Sequence, residues 1–121
     1  MAASASVQVT GYITGMAGGQ EAISAAISSA AANGQRTLTV LAAGNNTITI
    51  PTLPAPTGCV IILNSANTSI VTFKGVGGDT GFVIGKTGFV VLTWDATAVP
   101  ASFILSSVAT QTGLTTEVIF F

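Results

Sequence analysis

The sequence predicts a mainly β protein, a jelly-roll-like antiparallel β-sandwich with one short N-terminal helix. Three observations lead there. Short alternations of polar and apolar residues, such as Thr37-Leu38-Thr39-Val40 and Thr47-Ile48-Thr49-Ile50, have the two-residue period of half-buried strands. Turn-forming Gly, Pro, Asn and Asp recur about every 8–12 residues, the spacing of sandwiches and jelly rolls. Only one stretch, residues 20–32, carries a helical period.

Taken in order, the chain reads as one domain, residues 1–121, with small residues at 1–6 forming a flexible or docked N-terminal arm. Val7 and Val9, followed by Tyr12 or Ile13, suggest a first strand, and residues 15–19 a loop. In residues 20–32, Ile23, Ala26, Ile27 and Ala30 make one apolar stripe at helical spacing, and Asn33-Gly34 supplies a stop. No Ser, Thr, Asp or Asn caps the start of that helix.

Residues 37–40 and 47–50 read as a hairpin around Gly44-Asn45-Asn46, whose residues tolerate positive φ. Pro51, Pro54 and Pro56 then force an irregular crossing. Residues 60–63 and 69–73 read as a second hairpin around 64–67, and Gly75-Val76-Gly77-Gly78-Asp79 as a loop. Residues 82–84 and 89–92 flank Gly85-Lys86, which suits a tight type II′ turn. Thr80-Gly81-Phe82-Val83 nearly repeats as Thr87-Gly88-Phe89-Val90, but two copies are too few for a solenoid. Residues 103–105 and 117–121 bring the total to about eight or nine short strands.

Charge is the unusual feature. The formally charged residues are Glu21, Arg36, Lys74, Asp79, Lys86, Asp95 and Glu117, 6% of the 121 residues, against about 25% in an ordinary domain. Mean hydropathy is +0.74. Such a surface is poorly protected against association. It is either covered by other subunits or wetted by its Thr, Ser and Asn. Residues 59–63, 89–92 and 118–121 favour cover, because they are apolar at consecutive positions where a sandwich strand should alternate. The helix covers one such patch in this reading, and a neighbouring subunit the rest.

Several function classes drop out. Three cations and a net charge of −1 give no basic patch for nucleic acid. No apolar run approaches the ~20 residues of a membrane span, and one Trp and one Tyr cannot make the aromatic girdles of a membrane barrel. Residues 1–19 lack the basic start and apolar centre of a secretory signal. Without His, a nucleophilic triad has no ordinary base. Lys74 and Lys86 show no Ser-x-x-Lys spacing, and the four carboxylates are scattered. Asp79 and Asp95 stand where Asp forms turns. No calcium-loop spacing is present, and one Cys without His makes no zinc site.

Gly85-Lys86-Thr87 imitates the end of a phosphate-binding loop, but Thr80 stands where that motif needs Gly, and a strand follows instead of a helix. Thr80 also breaks the dinucleotide fingerprint at residues 75–78. Cys59 in its apolar run reads as a buried small hydrophobe. No enzyme activity, cofactor, metal site or small-molecule substrate is expected. Two features remain as protein contacts. Gly75, Gly77, Gly78 and Asp79 make an exposed loop whose glycines allow close backbone approach. Trp94 is either a rim-of-core residue or an interface anchor.

The stretch Phe73-Lys74-Gly75-Val76-Gly77-Gly78-Asp79-Thr80-Gly81-Phe82, with Lys86-Thr87 after it and the Val-Ile-Phe-Phe ending, resembles small β-sandwich domains of tailed-bacteriophage structural proteins. The Ala/Thr/Gly-rich, charge-poor composition is similar to that of capsid decoration (cement) proteins. The resemblance covers residues 59–121. It implies a jelly roll that forms a homotrimer, sits on the phage head surface of the virion after synthesis in the host cytoplasm, and clamps subunits of the major capsid protein. It brings no catalytic residues. The alternative is a structural or receptor-binding module of a tail, fibre or baseplate.

Overall fold

The computed structural model describes residues 5–16, 19–29, 35–52, 55–95 and 97–121. They form ten strands: β1 (Ala5–Met16), β2 (Gly19–Ser29), β3 (Gln35–Thr39), β4 (Gly44–Thr49), β5 (Gly58–Ile62), β6 (Val71–Lys74), β7 (Phe82–Gly85), β8 (Phe89–Thr93), β9 (Ser102–Ser107) and β10 (Thr116–Phe120). The protein is mainly β, and every strand pair is antiparallel.

The expected helix is corrected. Residues 19–29 are a strand that pairs with β1, from Ala5 opposite Ser29 to Met16 opposite Gly19; residues 30–32 of the expected helix lie outside the described residues. The physical reason is an ambiguity of period. Ile23 and Ile27 are four apart, and that spacing returns to the same face of a helix and of a strand alike. No N-cap residue marks a helix start there. Of the arm expected at 1–6, Ala5 and Ser6 belong to β1, and residues 1–4 lie outside the described residues.

Two further sheets follow, ordered β3-β10-β5-β8 and β4-β9-β6-β7. Here the expected hairpins are corrected. β3 and β4 do not pair, nor do β5 and β6, nor β7 and β8; each couple is split between the two sheets. Alternation marks a strand but does not name its partner. The pairs instead nest: β6 with β7, β5 with β8, β4 with β9 and β3 with β10. It is as though one long antiparallel ribbon, with its tip at residues 75–81, were folded so that successive rungs fall in alternate sheets. The β5–β10 and β6–β9 pairs then close each sheet.

The two sheets share one core. Ile48, Val71, Phe103 and Leu105 come from the second sheet, and Cys59, Ile61, Val118 and Phe120 from the first, with Leu41, Ile50 and Leu63 from the connections. Cys59 is fully buried, and burial pushes its thiol up to about 12. Gly58 is required by close packing. A Cβ there would sit 2.4 Å from the Leu92 carbonyl and 2.7 Å from the Phe121 ring, which is itself buried.

Candidate interaction site

Register decides what each sheet shows outward. On the first sheet, Leu38, Glu117, Ile62 and Phe89 stand side by side across β3, β10, β5 and β8. The adjacent outward row is Arg36, Ile119, Val60 and Val91. Leu38 is 51% exposed, Ile62 39% and Phe89 63%; Val60, Val91 and Ile119 are half-buried. Arg36 and Glu117 are the charged residues of these rows, and they neutralise each other through an Arg36 Nε–Glu117 Oε1 ion pair. The hydrogen bond from Arg36 holds the Glu117 carboxyl below its ordinary range and raises the guanidinium in turn. The outer face of the first sheet is thus apolar and uncharged in sum.

The second sheet differs. Its outward rows are Asn45, Ser106, Thr72 and Val83, then Thr47, Ile104 and Lys74, then Thr49 and Ser102. Hydroxyls and amides dominate, as on a face that meets water.

The five predicted contact residues lie at one end of the sheets. Residues 75–81 link β6 to β7 and are exposed. Asp79 closes the loop: its Oδ2 accepts from Val76 N at 2.9 Å, and its own N donates to Val76 O at 3.1 Å. This presents Val76, 63% exposed, at the tip. Asn45 Nδ2 donates to Gly77 O at 3.4 Å, tying the loop to β4. Gly81 has φ +69, and a Cβ there would lie 2.2 Å from the Phe73 carbonyl, so the return strand needs glycine.

Trp94 is a rim-of-core residue. It is half-buried against the core, and its indole N–H donates to Pro56 O at 2.6 Å. It also walls a cleft of about 290 Å³ with Phe73, Leu92, Pro100 and Phe103, and Gly75 lies on the same lining. The structure therefore brings Trp94 and Gly75 together at one cleft, whose lining does not include Gly77, Gly78 or Asp79. Phe73 anchors the cleft floor between Phe82 and Phe103, at centroid distances of 5.2 and 5.3 Å. Nearby, Asp95 acts as a turn former, accepting from the Thr97 backbone N and hydroxyl, which keeps its carboxyl below the usual range.

The opposite end is locked. Buried Asn67 donates to Ser69 O at 2.9 Å and Lys86 O at 2.6 Å, and accepts from buried Gln111 Nε2 at 3.1 Å. Gln111 N donates to Leu41 O at 2.9 Å. Four connections are thereby joined by one polar network. Sequence reasoning missed Gln111, because nothing in its local pattern distinguishes a buried amide from an exposed one.

Compared with models of known protein families, with curated proteins and with solved structures, the chain matches none of them.

Proposed function

We propose that the protein is a structural component of a tailed-virus particle, a capsid decoration protein that binds the assembled head as a homotrimer and stabilises it by mass action, since whatever binds only the assembled shell favours it. The observation that carries the packing role is the exposed apolar outer face of the first sheet, continuous across four strands and neutralised by its own ion pair. Large exposed apolar patches mark protein contacts. The capsid assignment rests on the resemblance of residues 73–82 and on the charge-poor composition.

The strand order supports a further part of the reading, that the two sheets form a jelly-roll sandwich. Nested pairs of eight strands divided four and four are what two interlocked Greek keys require, and viral capsid domains use that architecture. In this reading the apolar face serves self-association. The loop with Gly75, Gly77, Gly78 and Asp79 touches the major capsid protein, with Val76 at its tip. The role is binding and not catalysis.

Quantifying the protein in purified particles tests this. A decoration protein occurs at a copy number comparable to that of the major capsid protein. A handful of copies per particle would move the protein to the tail, fibre or baseplate, and absence from particles would overturn both assignments.

A further inference from the structure

The alternation of hydrogen bonds shows which backbone groups of the first sheet have no strand beside them. β3 and β8 are its two edges. Phe121 and Gly58 exchange both N–H···O bonds, so Ile119 and Glu117 also turn to β5, while Phe120 and Val118 turn to β3. Gln35, Thr37 and Thr39 therefore bond inward, and Arg36 and Leu38 direct their N–H and C=O groups to the open side. On β8, Trp94 N donates to Thr57 O, and Leu63 N to Gly88 O. Gly88, Val90 and Leu92 thus turn to β5, and Phe89, Val91 and Thr93 to the open side.

We infer that β8 of one copy pairs with β3 of a second copy, so that the first sheet continues from copy to copy. Within one chain the two edges stand three strand spacings apart, ~14 Å, and cannot meet. Direction fits. Four alternating strands leave β3 and β8 pointing opposite ways, so a copy turned about an axis along the strands brings its β3 to β8 antiparallel, as in the other pairs of this sheet.

Side-chain order fits as well. Run in opposite directions, residues 36–40 and 89–93 set Val40 against Phe89, Leu38 against Val91 and Arg36 against Thr93. Apolar meets apolar, and the guanidinium, already paired with Glu117, meets a hydroxyl. The join covers Leu38, Val40 and Phe89, which are 51%, 49% and 63% exposed. Setting Leu38 against Phe89 instead would put Arg36 against Val91 and leave Val40 uncovered. The edges of the second sheet lack this match. β4 turns Asn45, Thr47 and Thr49 to its open side, and β7 is four residues long beside a register shift, the kind of edge that resists pairing. β8 has no charge, proline or register shift. A join between two different edges runs head to tail and closes into a ring, which accommodates the three-fold arrangement.

The inference rests on the self-association proposed above, and the experiment separates the two. Val91→Pro deletes an N–H on the open side of β8 and no bond to β5, and edge strands tolerate proline there. It should weaken self-association about ten-fold or more, read by light scattering across a dilution series, while cooperative unfolding persists. In a second measurement, chains carrying Leu38→Cys and chains carrying Val91→Cys are mixed and mildly oxidised. The expected product is a linked pair at twice 12.0 kDa with residues 38 and 91 in the linked peptides. Should Val91→Pro not fold, this link decides. Unchanged affinity of the Val91→Pro chain together with no link between 38 and 91 overturns edge pairing and leaves self-association standing. A product linked from 91 to 91 also overturns it, by joining like edges about a two-fold axis. A monomeric wild type overturns both readings.

Discussion

The two four-stranded sheets have the same number of strands, the same antiparallel pairing and a common core, yet their outer faces are opposites. One shows Leu38, Ile62 and Phe89 around a single ion pair; the other shows Asn45, Thr47, Thr49, Thr72 and Ser106. Core formation therefore does not explain the apolar excess of this chain. Inward residues such as Ile61, Leu105 and Val118 are fully buried already. The surplus is concentrated on the first sheet, with six outward apolar residues against Val83 and Ile104 on the second, and that asymmetry is the ground for proposing a partner there. It also explains how a chain with so few charges keeps one hydrated surface, because Thr, Ser and Asn supply polarity without charge.

The largest expected effect comes from placing a charge on each face in turn. Phe89→Lys buries an unpaired ammonium in the proposed contact and should weaken self-association by ~30-fold or more, the scale of a hot-spot residue. Thr47→Lys, on the second sheet, should leave the native mass unchanged. Light scattering across a dilution series reads both, and equal sensitivity of the two faces would break the comparison.

The converse substitution alters stability without touching either face. Asn67→Ala leaves the carbonyls of Ser69 and Lys86 and the Gln111 amide without their partner, and should cost about 2–3 kcal/mol in urea unfolding. Its native mass at low temperature should match the wild type. A third measurement addresses the inner side of the first sheet. With its thiol pushed up to about 12 by burial, Cys59 should resist maleimide at pH 8 in the native state and react at the rate of unfolding.

The smallest effect concerns the ion pair. Glu117 has a depressed folded-state value, so its stabilising contribution is complete above its unfolded value of about 4.3 and is lost as pH falls through the lower folded value. The thermal midpoint should decline below about pH 4.5, and Glu117→Gln should flatten part of that decline. Asp95, held low by Thr97, accounts for a remaining slope.

The β class, the 75–79 loop, the buried Cys59 and the turn roles of Asp79 and Asp95 were all legible in the sequence, because each follows from local pattern or from one residue's chemistry. Pairing was not. Thr37 to Val40 and Thr47 to Ile50 look like neighbours, yet β3 joins β10 and β4 joins β9, partners far away along the chain. Ile23 and Ile27 satisfy two periods at once, and the strand is the one the structure takes. The consecutive apolar residues at 59–63 and 89–92 did foretell an apolar outer face. Which of them point outward depends on register, and register became visible only with the strands paired.

The most direct test of the account is the native mass of the unmodified chain by size-exclusion chromatography with light scattering. The account predicts a stable assembly near three times 12.0 kDa. A single 12.0 kDa species at every concentration, with Leu38, Ile62 and Phe89 left facing water, would contradict it.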